Sequence, residues 1–250
     1  MESLAQPAYL ISRIVNLSSL ALVAYLSGRL VIQHGVRVNY TRKINHFALF
    51  FLPAFLEDVF VFESTASTSV ASAAVYGLFL ASLTKPVRSR SAFSATMFAS
   101  IDRPEDRPHT LFWLTTQMAA GFLVLGPLAW VFYRHGAYRL IYIPILVNGI
   151  GDGLAEPVGV RFGRRTYRVP SLTSGRSYSR SFVGSACVFI TAVIVARLFR
   201  DAFTASQFVA AMILVPPAMT LAEAFAPHTW DTPVLFLSGG VVLLGVITFL

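Results

Sequence analysis

The sequence predicts an all-α, polytopic integral membrane protein with about seven or eight transmembrane helices. Three observations carry that expectation. Of 250 residues, 55% are hydrophobic and only 13% are charged, whereas a soluble domain is about 45–50% apolar and about 25% charged. With a mean hydropathy of +0.65, too little polar surface is left to cover a water-soluble globule. The apolar residues also fall into runs near 8–33, 46–62, 67–83, 110–133, 138–160, 181–199, 204–224 and 233–250. Several of these reach the roughly 20 residues that a spanning helix needs. Finally, the basic residues are lopsided. Counting eight helices, fifteen of the 20 Lys and Arg lie in or beside the connections 34–45, 84–109 and 161–180, which share one side with 225–232. The other five are Arg13, Arg134, Arg139, Arg197 and Arg200. The positive-inside rule puts the richer side in the cytoplasm and both termini outside. The apolar content excludes a disordered chain, and the single cysteine excludes a disulfide scaffold. The expected organisation is one transmembrane domain over 1–250, with a cytoplasmic loop at 84–109 and a basic loop at 161–180.

The elements follow in order. The run 8–33 has no basic segment before it and is too long for a signal-peptide core, so it reads as a membrane helix. The lack of an Arg- and Ser-rich transit peptide points to a bacterial inner membrane. Where the first cytoplasmic loop meets the second helix stands Thr41-Arg42-Lys43-Ile44-Asn45-His46, with His46 one turn beyond Arg42 and Lys43. The runs 46–62 and 67–83 are marginal as spans. The first carries adjacent Glu57 and Asp58, which mark its end; the second is rich in serine. The 84–109 segment has three prolines and a short apolar patch at Phe93–Ile101. That patch reads either as an amphipathic helix on the membrane surface or as part of a solvated loop. Cys187, in the 181–199 run, reads as a small buried hydrophobe.

Several chemistries are excluded. No GxxxxGK[ST] loop, HExxH, CxxC, GxSxG or GxGxxG motif occurs, which removes the usual P-loop, zinc-protease, hydrolase and dinucleotide signatures. The net charge is +8, and Lys43 and Lys85 are the only lysines. An arginine-dominated surplus suits phosphate, which the planar guanidinium grips with two hydrogen bonds.

Four constellations can carry such chemistry. The densest runs from Asn148 through Gly151, Asp152, Gly153, Glu156, Gly159 and Arg161 to Gly163, Arg164 and Arg165. An ionisable residue at membrane depth is costly and marks a functional site by default. Asp152 stands about nine residues, or ~13 Å of helix, before Arg161. A continuous helix would put Gly149, Asp152, Glu156 and Gly159 on one face. A carboxylate and arginines beside small residues suit a nucleoside triphosphate with Mg²⁺; the competing reading is a Gly-rich packing face with a buried carboxylate–arginine pair. The second constellation is Thr41–His46. The third, Ser177-Tyr-Ser-Arg180-Ser181-Phe-Val-Gly184-Ser185, opens the sixth helix with N–H groups and a guanidinium suited to an anion, or with ordinary serine caps. The fourth, from Glu223 through Pro227 and His228 to Asp231, sets two carboxylates on either side of a turn. All four fall on the predicted cytoplasmic face, which points to one composite site.

Together these motifs resemble the CTP-dependent lipid-alcohol kinases: dolichol kinase, phytol kinase and CTP-dependent diacylglycerol kinase. The resemblance rests on Arg42-Lys43-x-x-His46, on the ungapped segment Gly151-Asp152-Gly153 to Gly163-Arg164, on Arg180-Ser181-Phe-Val183-Gly184-Ser185, and on Glu223-Ala-x-x-Pro227 with Asp231-Thr232. It spans residues about 40–235. The chain departs from the family where Arg180 replaces a lysine, Val183 an acidic residue or alanine, and Thr232 an asparagine, so the lipid alcohol stays open. The resemblance implies an integral membrane phosphotransferase that moves the γ-phosphoryl of CTP to a polyprenol, phytol or diacylglycerol-type hydroxyl. It implies catalytic roles for Asp152 and His46, and nucleotide or phosphate contacts from Arg42, Lys43, Gly151, Gly153, Arg164, Arg180, Ser181, Gly184 and Ser185. It further implies Mg²⁺ held by Asp152, Glu223 and Asp231. The partners are then a nucleoside triphosphate, the lipid alcohol and membrane lipids, with no nucleic acid. The alternatives are a CDP-lipid synthase, which needs the same nucleotide and metal, and a non-catalytic transporter or lipid-binding membrane protein.

Overall fold

A computed structural model describes residues 2–63, 65–170 and 177–250. The chain forms two compact units, Met1–Phe112 and Trp113–Leu250.

In the first unit, α1 (Pro7–His34) starts with proline at its first position and ends on Gly35, whose φ of 63° lets its N–H turn back to the Leu30 and Val31 carbonyls. After Gly35 only Val36 and Arg37 precede α2 (Val38–Val59). The second helix therefore begins well before the expected residue 46, and Thr41–His46 lies within it rather than at its threshold. It does end just after Glu57 and Asp58. Next come α3 (Ala66–Ser82), α4 (Lys85–Arg88) and α5 (Ala92–Ala99). The apolar patch of the 84–109 segment is thus helical. It is α5, docked on α1 so closely that a Cβ at Gly28 would lie 1.8 Å from the Thr96 carbonyl oxygen. Tyr25 and Phe93 stack across the same contact at 4.8 Å. At the end of α5, Ser100 is held from α2: Thr41 Oγ1 donates to its carbonyl at 2.7 Å and Asn45 Nδ2 to its hydroxyl at 3.0 Å.

In the second unit, α6 (Thr110–Arg134), which begins in the first unit, is followed by a region expected as one helix over 138–160. It is instead a 3-10 turn (Tyr138–Ile141), α7 (Tyr142–Leu146), a π-helical stretch (Val147–Asp152) and α8 (Gly153–Phe162). Beyond it, the expected loop at 161–180 contains an antiparallel hairpin, β1 (Thr166–Pro170) and β2 (Ser177–Ser181). Its residues 171–176, including the Arg176 counted among the basic residues, lie outside the described residues. The chain then continues through α9 (Phe182–Leu198), α10 (Ala205–Phe225) and α11 (Asp231–Phe249). Buried Leu140, Val188, Met219, Leu235 and Leu243 form the apolar core of this unit.

The fold is helical, as expected, apart from the hairpin. The spans are seen in part. Among the described residues, four helices are long and apolar enough to cross a membrane: Pro7–His34, Thr110–Arg134, Ala205–Phe225 and Asp231–Phe249. Two shorter apolar helices occur, Ser67–Ser82 and Phe182–Leu198. α2 falls out because Arg42, Lys43, Glu57 and Asp58 break its apolar run, and 138–160 because its backbone is interrupted. The four long helices turn apolar side chains outward, such as Leu123 (75% exposed) and Ile213 (64% exposed), while Ser12, Asn16 and Ser27 are buried. That distribution suits helices whose solvent is lipid, where small and polar residues pack inward.

Candidate functional site

The candidate site is assembled in the second unit around Arg180. In β2, Arg180 pairs directly with Tyr167 of β1, so both side chains leave the same face of the hairpin. Val169 and Tyr178, the next pair on that face, are buried and half-buried, whereas Arg168 and Ser179 on the other face are exposed. The alternating sequences Thr-Tyr-Arg-Val and Ser-Tyr-Ser-Arg supply this two-faced pattern.

The Arg180 guanidinium spans the end of α10 and the start of α11. Nη1 donates to Glu223 Oε1 at 2.6 Å and also to the Glu223 carbonyl. Nη2 donates to Asp231 Oδ1 and, at 3.1 Å, to the Ala226 carbonyl. Burial opposes its charge, but the Asp231 and Glu223 carboxylates outweigh burial and hold the guanidinium above the ordinary arginine range. The second Glu223 oxygen accepts from Ser185 Oγ at 2.9 Å. Ser185 has one hydroxyl proton, so Tyr167 O–H is the donor across the 2.6 Å contact to Ser185 Oγ. Burial raises the Tyr167 phenol above its usual range, which keeps that proton in place. The result is a directed chain: Tyr167 to Ser185 to Glu223, closed by Arg180 and Asp231.

Asp152 belongs to the same cluster. It is buried at the end of the π-helical stretch and lies within electrostatic reach of both Arg180 and Glu223. π-Helical turns inside helices are frequent at functional sites. Two carboxyls therefore grip one guanidinium, with Asp152 of a third part of the chain within electrostatic reach. Beside them, Thr232 Oγ1 accepts from Gln117 Nε2 at 2.8 Å and from Asn148 Nδ2 at 3.4 Å.

The turn between α10 and α11 is pinned in place. Thr229 has φ of 70°, a conformation that costs a β-branched residue on the order of 1–3 kcal/mol. It is 4% exposed. The turn is held by Arg180 on the Ala226 carbonyl and by Tyr178, which stacks on His228 with ring centroids 3.4 Å apart.

The other expected site residues sit differently. The helix expected through Gly149, Asp152, Glu156 and Gly159 is π-helical up to Asp152 and α-helical beyond it. The packing stripe is Gly151, Ala155, Gly159 and Gly163, every fourth residue, set against the start of α9. A Cβ at Gly151 would lie 3.0 Å from Val188 Cα, one at Gly159 would lie 2.6 Å from Ser181 Oγ, and one at Gly184 would lie 2.7 Å from the Ala155 carbonyl oxygen. Gly153 is buried and opens α8. Ser181 caps α9 by accepting from the Gly184 N–H at 3.0 Å, so both residues serve capping and packing. Arg164 is exposed between α8 and β1, as are Arg161, Arg165 and Arg168. In the first unit, Lys43 is buried, Arg42 is half-buried, and His46 lies against Phe50 at 4.7 Å. Cys187 is half-buried rather than buried, with its thiol bonded to the Val183 carbonyl at 3.4 Å.

Sequence reading missed Tyr167, although the alternation on both sides of 171–176 signals a hairpin that would bring it opposite Arg180. As a donor set for Mg²⁺, the oxygens of Asp152, Glu223 and Asp231 have the right hard chemistry, and the three carboxyls exceed the charge of one arginine. Glu223 and Asp231 are paired on Arg180. Among the described residues no three His, Cys, Asp or Glu side chains converge as a metal-holding group.

No protein-family model, curated protein or solved structure matches the chain.

Proposed function

We propose that the chain is a CTP-dependent lipid-alcohol kinase of the membrane. The observation that supports this reading is the pairing of Glu223 and Asp231 on the half-buried Arg180 guanidinium, with Asp152 within electrostatic reach. A planar cation that grips two carboxylates has the right shape to grip phosphoryl oxygens instead.

The lipid hydroxyl oxygen attacks the γ-phosphorus of CTP. The new O–P bond forms as the bond from that phosphorus to the β–γ bridging oxygen breaks, and CDP leaves with the bonding electron pair. The hydroxyl proton passes to the Asp152 carboxylate. Arg180 binds and neutralises the transferring group, and the Tyr167–Ser185 chain orients Glu223. Bound Mg²⁺, held by Glu223 and Asp231 with Asp152 nearby, would supply charge neutralisation of the phosphates. Such catalysis is mostly positioning and electrostatics. Arg42, Lys43, His46 and Arg164 enter this reading through the family resemblance. The fuller topology of seven or eight passes, with the hairpin on the cytoplasmic side of a bacterial inner membrane, belongs to the same proposal.

The test uses purified protein in lipid micelles with Mg²⁺ and a panel of phytol, polyprenols, diacylglycerol and their phosphates. Parallel samples carry CTP labelled at the γ or the α phosphate. Label reaching the organic phase from γ alone is the expected result. Label from α would identify a CDP-lipid synthase, and label from neither would favour the non-catalytic reading. Asp152→Asn is expected to lower transfer by about 10²–10⁴-fold, the usual contribution of a general base, with the protein still folded.

A further inference from the structure

We infer that the second unit carries a docking surface for anionic phospholipid headgroups, formed by Arg161, Arg165 and Arg168 where α8, β1 and the start of α9 meet. All three side chains are exposed. Arg161 stands in the last turn of α8, Arg165 immediately precedes β1, and Arg168 lies on β1 opposite Ser179. Ser181 ties the three positions together. A Cβ at Gly163 would lie 2.6 Å from Ser181 Cβ, and one at Gly159 would lie 2.6 Å from Ser181 Oγ. Thr166 pairs with Ser181 across the hairpin, and the Phe182 N–H donates to the Arg165 carbonyl at 3.3 Å. Two large apolar side chains stand exposed at the same junction, Phe162 at the end of α8 (64%) and Phe182 at the start of α9 (60%).

The charge here is one-sided. No acidic residue occurs between Glu156 and Asp201. Exposed arginines elsewhere have carboxylates, as Arg139 has Asp201 and Arg107 has Asp102, each at 2.8 Å. Among the described residues, Arg161, Arg165 and Arg168 have neither an ion pair nor a side-chain hydrogen bond. Like charges held this close on a folded frame repel one another, and a dense anionic surface offsets that repulsion. Alternation along β1 sends Arg168 away from the face that carries Tyr167, so the patch and the carboxyl cluster do not compete for it.

The helix that follows identifies the anion. α9 has two faces: Val188, Ala192 and Ala196 are buried, while Phe182, Val183, Ile190 and Ile194 are exposed at helical spacing. Small residues inward and large apolar ones outward are the pattern of a helix packed against protein on one side and lipid on the other. The outward stripe begins at Phe182, beside Arg165. Acyl chains laid along that stripe bring their headgroups to the arginines, whose forks suit phosphate. A soluble polyanion would match the arginines and leave the stripe uncovered. A zwitterionic headgroup brings its own ammonium to the patch, so the surface favours lipids with net negative charge. This site rests on membrane residence of the chain and not on phosphoryl transfer; Arg164, which the kinase reading gives to the nucleotide, is left out of it.

The test is native mass spectrometry of the full-length protein, delipidated in detergent and incubated with equal amounts of phosphatidylglycerol and phosphatidylcholine. Each arginine near an anionic lipid contributes about fivefold in affinity, so phosphatidylglycerol should be retained at least about tenfold over phosphatidylcholine. The triple variant Arg161→Gln, Arg165→Gln, Arg168→Gln should bring the two lipids to within about twofold of each other, with unchanged thermal unfolding because all three side chains are exposed. A second triple variant, Arg37→Gln, Arg90→Gln, Arg197→Gln, removes the same charge from exposed positions elsewhere and should keep the preference. Equal retention of both lipids by the natural chain, a preference unchanged in the first variant, or the same loss in the second would overturn the site. Displacement of the lipid by an equal concentration of an RNA oligonucleotide would assign the patch to nucleic acid and overturn it as well. Membrane residence is tested separately: the chain should stay with alkali-washed membranes, and its release would overturn that residence and the site together.

Discussion

Arg180 shows how much one side chain can decide. Its two terminal nitrogens hold Glu223, the Ala226 carbonyl and Asp231, so hairpin, α10 and α11 share one anchor. A lysine could not bridge them, because an ammonium is a point charge without a fork. Glu223 depends in turn on Ser185 and Tyr167. Tyr167→Phe removes the first donor of that chain and frees Ser185 to rotate. The expected loss is about 0.5–1.5 kcal/mol in stability, with a severalfold fall in kcat and little change in the KM for CTP, measured by initial rates and by thermal unfolding in detergent. Because burial raises the Tyr167 phenol, the folded state holds this proton more tightly than the unfolded chain. Its contribution is therefore present below about pH 10 and is lost as pH rises through the elevated value. That alkaline loss should be absent in Tyr167→Phe; an identical alkaline limb in both proteins would count against the relay.

Among the elements, close approach is the recurring device. Gly151 of the π stretch and Ala155 of α8 meet α9, Gly159 and Gly163 meet its cap Ser181, and α5 meets α1 at Gly28. The helix expected over 149–159 has a π-helical stretch up to Asp152, and the small residues that meet its neighbour recur every fourth residue, one face of a helix. The glycines of the Gly-Asp-Gly segment are legible as small residues, but their service to packing is visible only once α9 lies against them. Two substitutions check this. Gly184→Ala drives a methyl against the Ala155 carbonyl, and Gly28→Ala drives one against the Thr96 carbonyl, and backbone atoms cannot step aside as side-chain tips do. Each should destabilise its unit by about 1–3 kcal/mol, the usual cost of overpacking. Thermal unfolding in detergent reads this, and Gly77→Ala, which meets nothing within 4 Å, is the control and should be near neutral.

At the scale of the whole molecule, the outward apolar surface is compatible with a membrane, and the proposed topology puts the arginine-rich side in the cytoplasm. Arg161, Arg164, Arg165 and Arg168 are all exposed at α8 and the hairpin, as the positive-inside rule expects of a cytoplasmic connection. In a Cys187→Ser background, Arg165→Cys should react with a membrane-impermeant maleimide after cell lysis and stay unlabelled in intact cells. Labelling of intact cells would reverse the topology and place the carboxyl cluster on the outer face.

Some of this is written in the residues themselves. Apolar runs and scarce charge determine a helical chain with segments compatible with a membrane, where lipid forces backbone hydrogen bonds to close within each segment. Asp152, Arg180, Glu223 and Asp231 stand out as charged residues among apolar runs. Tertiary structure decided the rest. Helix regularity at 147–152, the docking of α5 on α1 and the hairpin that carries Tyr167 to Ser185 each depend on a partner distant in sequence. Local propensity does not record such partners, so sequence marks the polar residues and packing decides which of them meet.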